Sequence, residues 1–191
     1  MGKNDSIPPT RRHTNHNSRL DMSTDLEYRP GLEDVPAAKS GIRFLDGKKA
    51  RLEYRGIPVD VLAKESRFEE VAWLLIKGDL PTQKQLAEFD HALRQRRALH
   101  FKLKDMLRDL PANAHPMDVL QMSVAALGIY YPCRTVNNPA KNWEASLRLI
   151  AAIPTLVAAF DRYRRGEEAL EPRADLDHAA NFLYKIGRAH V

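Results

Sequence analysis

Between Ala114 and Tyr131 the chain reads AHPMDVLQMSVAALGIYY. Beyond its first turn this segment is apolar on most sides, so as a helix it has no face that prefers water. A helix of that kind has to be surrounded by other elements, and no other stretch limits the fold as strongly. Its alanines and serine permit close approach of neighbouring helices. The partners legible elsewhere in the 191 residues are mostly short. The expectation is that this chain by itself exposes apolar surface and aggregates or folds poorly.

Helical spacing governs almost everything after Gly56. PVDVLAKE predicts a short helix opened by Pro58. RFEEVAWLLIKG places Phe68, Val71, Ala72 and Leu75 on one face and ends on Gly78, a stop signal. Thr82 caps a charged helix bearing Leu86, Phe89 and Leu93, and FKLKDMLRDLP gives another short one. The longest runs through WEASLRLIAAIPTLVAAFDRYRRG, where Pro154 removes a backbone donor and predicts a kink. A last helix begins in DLDHAANFLY, with Asp175 or Asp177 as its N-cap. Before these, Ile42 and Phe44 alternate with polar residues. Asp46-Gly47 then supplies a turn, and Ala50, Leu52 and Tyr54 alternate on the return. This is a hairpin signature, because glycine accepts positive φ cheaply. A lone hairpin is marginal in water, so it must pack on something larger. The fold class is mainly α, with a short N-terminal β-hairpin.

Residues 1–24 are polar, with Pro8 and Pro9 and little apolar content, and predict a disordered extension. Met22 offers an alternative start, and Arg11, Arg12 and Arg19 an alternative transit peptide, against which Asp5 and Asp21 argue. No secretory signal is apparent. No apolar run approaches the roughly 20 residues that span a bilayer. Leu147 to Phe160, broken by Arg148 and Pro154, reads as a core helix, so no membrane partner is expected. The single cysteine, Cys133, excludes an internal disulfide and a multi-cysteine metal site, and fits a reducing, cytoplasmic setting. The net charge of +5 is spread among 25 acidic residues. The basic clusters Arg94 to Arg97 and Arg162 to Arg165 read as solvated helix ends, where cations suit the helix dipole, rather than as a nucleic-acid footprint.

Glycine-rich phosphate loops, zinc spacings and a nucleophile elbow are all missing from the sequence. His115 stands at a helix N-terminus, where it reads as a cap or packed ring, with a ligand contact as the alternative. His91, His100 and His178 fall among charged residues and read as surface positions. Trp73 and Trp143 read as core or interface anchors. Cys133 lies in a loop beside Arg134 without an adjoining histidine, so no catalytic role is assigned to it.

Three long segments then bear on identity. GLEDVPAAKSGIRFLDGKKARLEYRGIPVDVLAKESRFEEVAWLLIKGDLPTQKQL resembles the opening of the citrate synthase family. LPANAHPMDVLQMSVAALG and RLIAAIPTLVAAFDRYRRGE continue the resemblance in the family's order, from about Gly31 to Tyr184. It implies a citrate synthase-like multi-helical fold, incomplete here. Residues 25–184 would be the N-terminal part of its helical large domain, in a homodimer that condenses acetyl-CoA with oxaloacetate. In the family a carboxylate takes a proton from the thioester methyl group, one histidine stabilises the enol, and another polarises the attacked ketone. Acetyl-CoA is a substrate there; no metal or redox cofactor is implied. Some bacterial members place an allosteric nucleotide near the segment matching AHPMDVL. The catalytic histidines and aspartate belong to C-terminal motifs without counterparts here. No catalytic, cofactor-binding or metal residue is therefore assigned, and the chain is expected to be inactive alone. Within the enzyme class 2-methylcitrate synthase, acting on propionyl-CoA, is the rival. A truncated helical paralogue that pairs with full-length subunits is the non-catalytic one.

The pattern breaks after ANFLY. KIGRAHV, residues 185–191, looks like a sequencing adapter translated in frame, and is expected to be a non-native tail, His190 included.

Overall fold

Asp46 organises the first turn, but not as the tight two-residue loop its neighbour Gly47 suggests. In the structure, a computed structural model that describes residues 40–135 and 137–187, strand β1 (Arg43–Asp46) pairs antiparallel with β2 (Arg51–Tyr54). Asp46 faces Arg51, so four residues make the connection. The Asp46 carboxylate accepts from the backbone N–H groups of Lys48 and Lys49 at 3.1 and 3.2 Å. Ala50, not glycine, takes the positive φ, at 49°. The tight turn lies one strand later. Arg55 and Gly56 have φ of 51° and 84° and join β2 to β3 (Ile57–Pro58), with Tyr54 opposite Ile57. Two successive positive φ values define the type I′ geometry that matches strand twist. The hairpin is thus a three-stranded sheet in the order β1-β2-β3. Arg55 ties it to the helices through a 2.9 Å hydrogen bond from Nη2 to the carbonyl of Leu75.

Among the described residues seven helices follow: α1 (Val59–Glu65), α2 (Phe68–Lys77), α3 (Gln83–Arg94), α4 (Phe101–Arg108), α5 (Pro116–Tyr130), α6 (Pro139–Tyr163) and α7 (His178–Lys185). Their ends follow local chemistry. Gly78, at φ 103°, closes α2 with its N–H on the Leu74 carbonyl, and Thr82 and Gln85 form a reciprocal capping box on α3. Asn138 caps α6 ahead of Pro139, and Asp177 rather than Asp175 caps α7, its Oδ1 accepting from Ala180 N–H at 2.8 Å.

α6 contacts α3, α4, α5 and α7. One apolar core joins Leu99, Leu103 and Leu107 to Val119 and Leu127 of α5 and to Leu156 and Phe160 of α6. A second joins Phe89 and Leu93 of α3 to Leu147 and Ala151 of α6, flanked by Trp73 and Trp143. The helix continues through Pro154 without ending there. Its 25 residues include a window of mean hydropathy 1.4, long and apolar enough to cross a bilayer, against the expectation that no segment would be. Leu147, Ala151, Leu156 and Phe160 are consumed by the two cores, as expected of a core helix.

α5 buries one stripe only: Val119, Ser123 and Leu127, four residues apart. Met117 remains 62% exposed and Ile129 78% exposed. The helix expected to be surrounded is half covered among the described residues, and the apolar surface predicted from the sequence is present. The disordered extension expected for residues 1–24 and residues 188–191 of the tail lie outside the described residues. α7 runs through Lys185, and that residue is buried.

Candidate functional site

Three places gather chemistry or space. The first is a buried polar junction between α2, α3 and α7. Glu69, on the inner face of α2, is 1% exposed, and its Oε1 accepts a 2.9 Å hydrogen bond from the backbone N–H of His178. The His178 ring stacks on Phe68, centroids 4.4 Å apart and planes 5° from parallel. Arg97, just beyond α3, is 1% exposed, and its Nη1 donates to the carbonyl of Leu176 at 2.7 Å. The Asn181 side chain accepts from Arg173 N–H at 2.9 Å, and Arg94 reaches the Ala174 carbonyl, so the segment before α7 is pinned from several sides. Burial, followed by the positive charge of Arg97, holds the His178 imidazole below its ordinary pKa. Glu69, Asp177 and Asp90 pull weakly the other way.

The second is an apolar groove of about 350 Å³ between α5, α6 and α7. Met117, Val157, Phe160 and Phe182 line it, with Asp161 and Arg164 as its charged members. The third is a cavity of about 560 Å³ where the end of α5 and residues 131–134 meet the start of α6. Arg134, Lys141 and Arg148 line it with one carboxylate, Glu144. That carboxylate is already engaged by Arg96, at 2.9 and 2.7 Å, and the hydrogen bond holds its pKa below the usual range. Arg148 lies 4.0 Å from the ring centroid of Tyr131. Cations beside an aromatic face favour an anionic, planar guest. Neither cavity is lined by a histidine, so neither holds an imidazole–carboxylate pair for proton transfer.

His115 is the N-cap of α5, as expected, with Nδ1 accepting from Met117 N–H at 3.3 Å. His91 is exposed on α3. His100 is half-buried: it caps α4 and stacks on Phe101 and Tyr130 at 4.6 and 4.5 Å. His178 is not a surface position. At 6% exposure it fills the α2–α7 seam, because helical phase turns it inward together with Asn181 and Lys185. The cluster Arg94 to Arg97 is also not merely solvated, since Arg97 is interior and Arg96 pairs with Glu144. Trp73, Phe89 and Trp143 form an aromatic cluster with centroids 5.6 to 5.8 Å apart, the anchor role expected of both tryptophans. Cys133 is half-buried, its Sγ 3.6 Å from the Lys141 carbonyl. Among the described residues no group of three His, Cys, Asp or Glu side chains is placed to hold a metal ion. The signal that sequence reading missed was the i, i+3, i+7 spacing of His178, Asn181 and Lys185, a polar stripe on an inward face.

The class defined by these elements is a multi-helical domain organised around one long helix, with space for ligands and with no imidazole–carboxylate pair lining either the groove or the cavity described above. Residues 31–190 match the family profile described as citrate synthase, C-terminal domain. Citrate synthase of Synechocystis sp. is 47% identical over 166 residues, covering 86% of this chain and 42% of that protein. Citrate synthase of Acidithiobacillus ferridurans is 41% identical over 164 residues, covering 83% and 42%. The crystal structure of citrate synthase from Pyrobaculum aerophilum superposes with a TM-score of 0.76 at 37% identity, covering 84% of this chain and 42% of that one. The chain belongs to the citrate synthase family. It spans about 42% of the length of these relatives.

Proposed function

We propose that this chain supplies the N-terminal part of the helical large domain of an enzyme that condenses acetyl-CoA with oxaloacetate to give citrate and CoA. The observation that carries the reading is 47% identity to a citrate synthase over 86% of the chain. In the reaction, a carboxylate removes a methyl proton from the thioester, and the enol carbon attacks the oxaloacetate ketone as a histidine polarises it. Water then cleaves the citryl thioester and releases CoA. The steps need positioned acids and bases, and no metal or redox cofactor enters them. None of the described histidines is given a catalytic part, and residues 40–187 without further polypeptide are proposed to be inactive.

The apolar groove and the exposed side chains of Met117 and Ile129 support a homodimeric large domain in which more protein covers α5. A cytoplasmic setting remains the reading favoured by the lone Cys133.

The test is to express this chain and the full native reading frame that encodes it, and to follow thiol release from acetyl-CoA and from propionyl-CoA with oxaloacetate. Faster turnover of acetyl-CoA supports the proposal. Preference for propionyl-CoA replaces it with 2-methylcitrate synthesis. No release from either thioester, with a folded protein that pairs with a complete citrate synthase, replaces it with the non-catalytic paralogue.

A further inference from the structure

Beyond the proposed reaction, the junction of α2, α3 and α7 carries polar atoms with no protein partner. Arg97 spends Nη1 on the carbonyls of Leu176 and Arg173, but its Nε and Nη2 are buried and unpaired. Asp90 gives Oδ2 to Arg94, and its Oδ1 is buried and unpaired. His178 Nδ1 is the third such atom. The groups meet at the segment before α7: Arg94, which holds Asp90 Oδ2, also reaches the Ala174 carbonyl, Arg97 holds the carbonyls of Arg173 and Leu176, and His178 follows Leu176 by two residues. An unpaired buried donor or acceptor costs about 1–3 kcal/mol, and more when the group is charged. Nearly all buried polar groups are paired once ordered water is counted.

We propose that an ordered internal water sits at this junction, accepting from the Arg97 guanidinium, donating to Asp90 Oδ1 and meeting His178 Nδ1 as its third partner. The chemistry selects water over the anion that a buried arginine would otherwise attract. Asp90 Oδ1 is a bare acceptor and needs a donor, which a halide or a fully deprotonated anion cannot provide, and its own negative charge repels any anion. Glu69 and Asp177 already place negative charge around Arg97. A neutral imidazole presents Nδ1 as donor or acceptor according to tautomer, and water satisfies either. The water bridges α3 to the start of α7 at the point where protein hydrogen bonds run out.

A crystal structure of the intact protein, at a resolution that orders solvent, tests the site. A solvent peak within about 2.7–3.2 Å of both the Arg97 guanidinium and Asp90 Oδ1 is the expected result. A direct contact between Arg97 and Asp90 with no peak overturns the proposal. So does an anomalous peak at the site after a bromide soak, which would mark an anion. Oxygen-17 relaxation dispersion gives a second readout in solution. The Asp90→Leu variant is expected to lose one long-lived water relative to the wild type, and Asp90→Asn to retain it. If Asp90→Leu is folded and keeps the same number of long-lived waters, the proposal fails. If that variant does not fold, the same comparison is made on Arg97→Met.

Discussion

Glu69 Oε1 accepts a 2.9 Å hydrogen bond from the backbone N–H of His178, a residue 109 positions further along the chain. A buried carboxylate thus holds the start of the last helix on the second one, where Phe68 and the His178 ring already stack. Removing the carboxylate strands a buried N–H. The Glu69→Ala variant is expected to lose about 1–3 kcal/mol of unfolding free energy, read from the shift of its urea midpoint at unchanged slope. Glu69→Gln, which keeps an acceptor oxygen, should lose less. Equal losses in the two variants would show that the bond contributes nothing.

The same seam carries a pH dependence. The folded protein holds the His178 pKa below 6.5, chiefly through burial and then through Arg97. Glu69 on α2, Asp90 on α3 and Asp177 ahead of α7 attract the proton and moderate the effect. A group with a depressed folded pKa binds fewer protons folded than unfolded, so stability rises with pH in that window. Its contribution is complete above the unfolded value near 6.5 and falls away as the medium is acidified below it. His178→Phe retains a ring against Phe68 and should flatten the stability profile below pH 6.5. A profile as steep as the wild type's would assign the dependence to other groups.

Lys185 gives the opposite practical outcome at neutral pH. Its folded pKa of about 8, against 10.5 ordinarily, means that the buried ammonium opposes folding wherever it is charged. The shift corresponds to about 3 kcal/mol as an order of magnitude. The wild type should therefore gain stability between pH 8 and pH 10.5, as the unfolded chain holds a proton that the folded one has released. Lys185→Met should raise the thermal midpoint at pH 7 by several degrees, and the advantage should shrink toward pH 10.5. A variant less stable than the wild type at pH 7 would mean that the ammonium has found a partner.

The uncovered side of α5 should set the solution behaviour of this chain. Met117 and Ile129 are 62% and 78% exposed, so replacing both by lysine removes apolar surface without touching the core. Gel filtration of Met117→Lys/Ile129→Lys is expected to show less self-association than the wild type at equal concentration, with an unchanged helical circular dichroism spectrum. A monodisperse wild-type monomer would overturn the expectation that the chain aggregates.

Helix positions were legible where the apolar period and the punctuation agree: Gly78 ends α2 and Thr82 begins α3 through local hydrogen bonds, whereas α6 starts at Pro139 behind its Asn138 cap, four residues before the expected Trp143. The first turn was harder to read. Asp46-Gly47 satisfies a two-residue hairpin pattern, yet pairing of Asp46 with Arg51 stretches the loop and moves the type I′ turn to Arg55-Gly56. His178 and Arg97 were misread for a different reason. Polar residues among charges look solvated in one dimension, and only long-range pairing shows them to be interior. The family motifs were plain in the sequence, but no candidate catalytic site could be read from them. The polar junction comes from contacts between residues about 80 to 110 positions apart, and no local pattern encodes those.

α6 contributes Leu147 and Ala151 to one apolar cluster and Leu156 and Phe160 to the other. A single rod running through both clusters couples their fates: melting it dismantles the two at once, and neither survives as a folded remnant. In a hydrogen-exchange experiment the amides of α3, α4 and α6 should open together in one cooperative unit. β1, whose Phe44 and Leu45 are about half exposed, should fray on its own long before them.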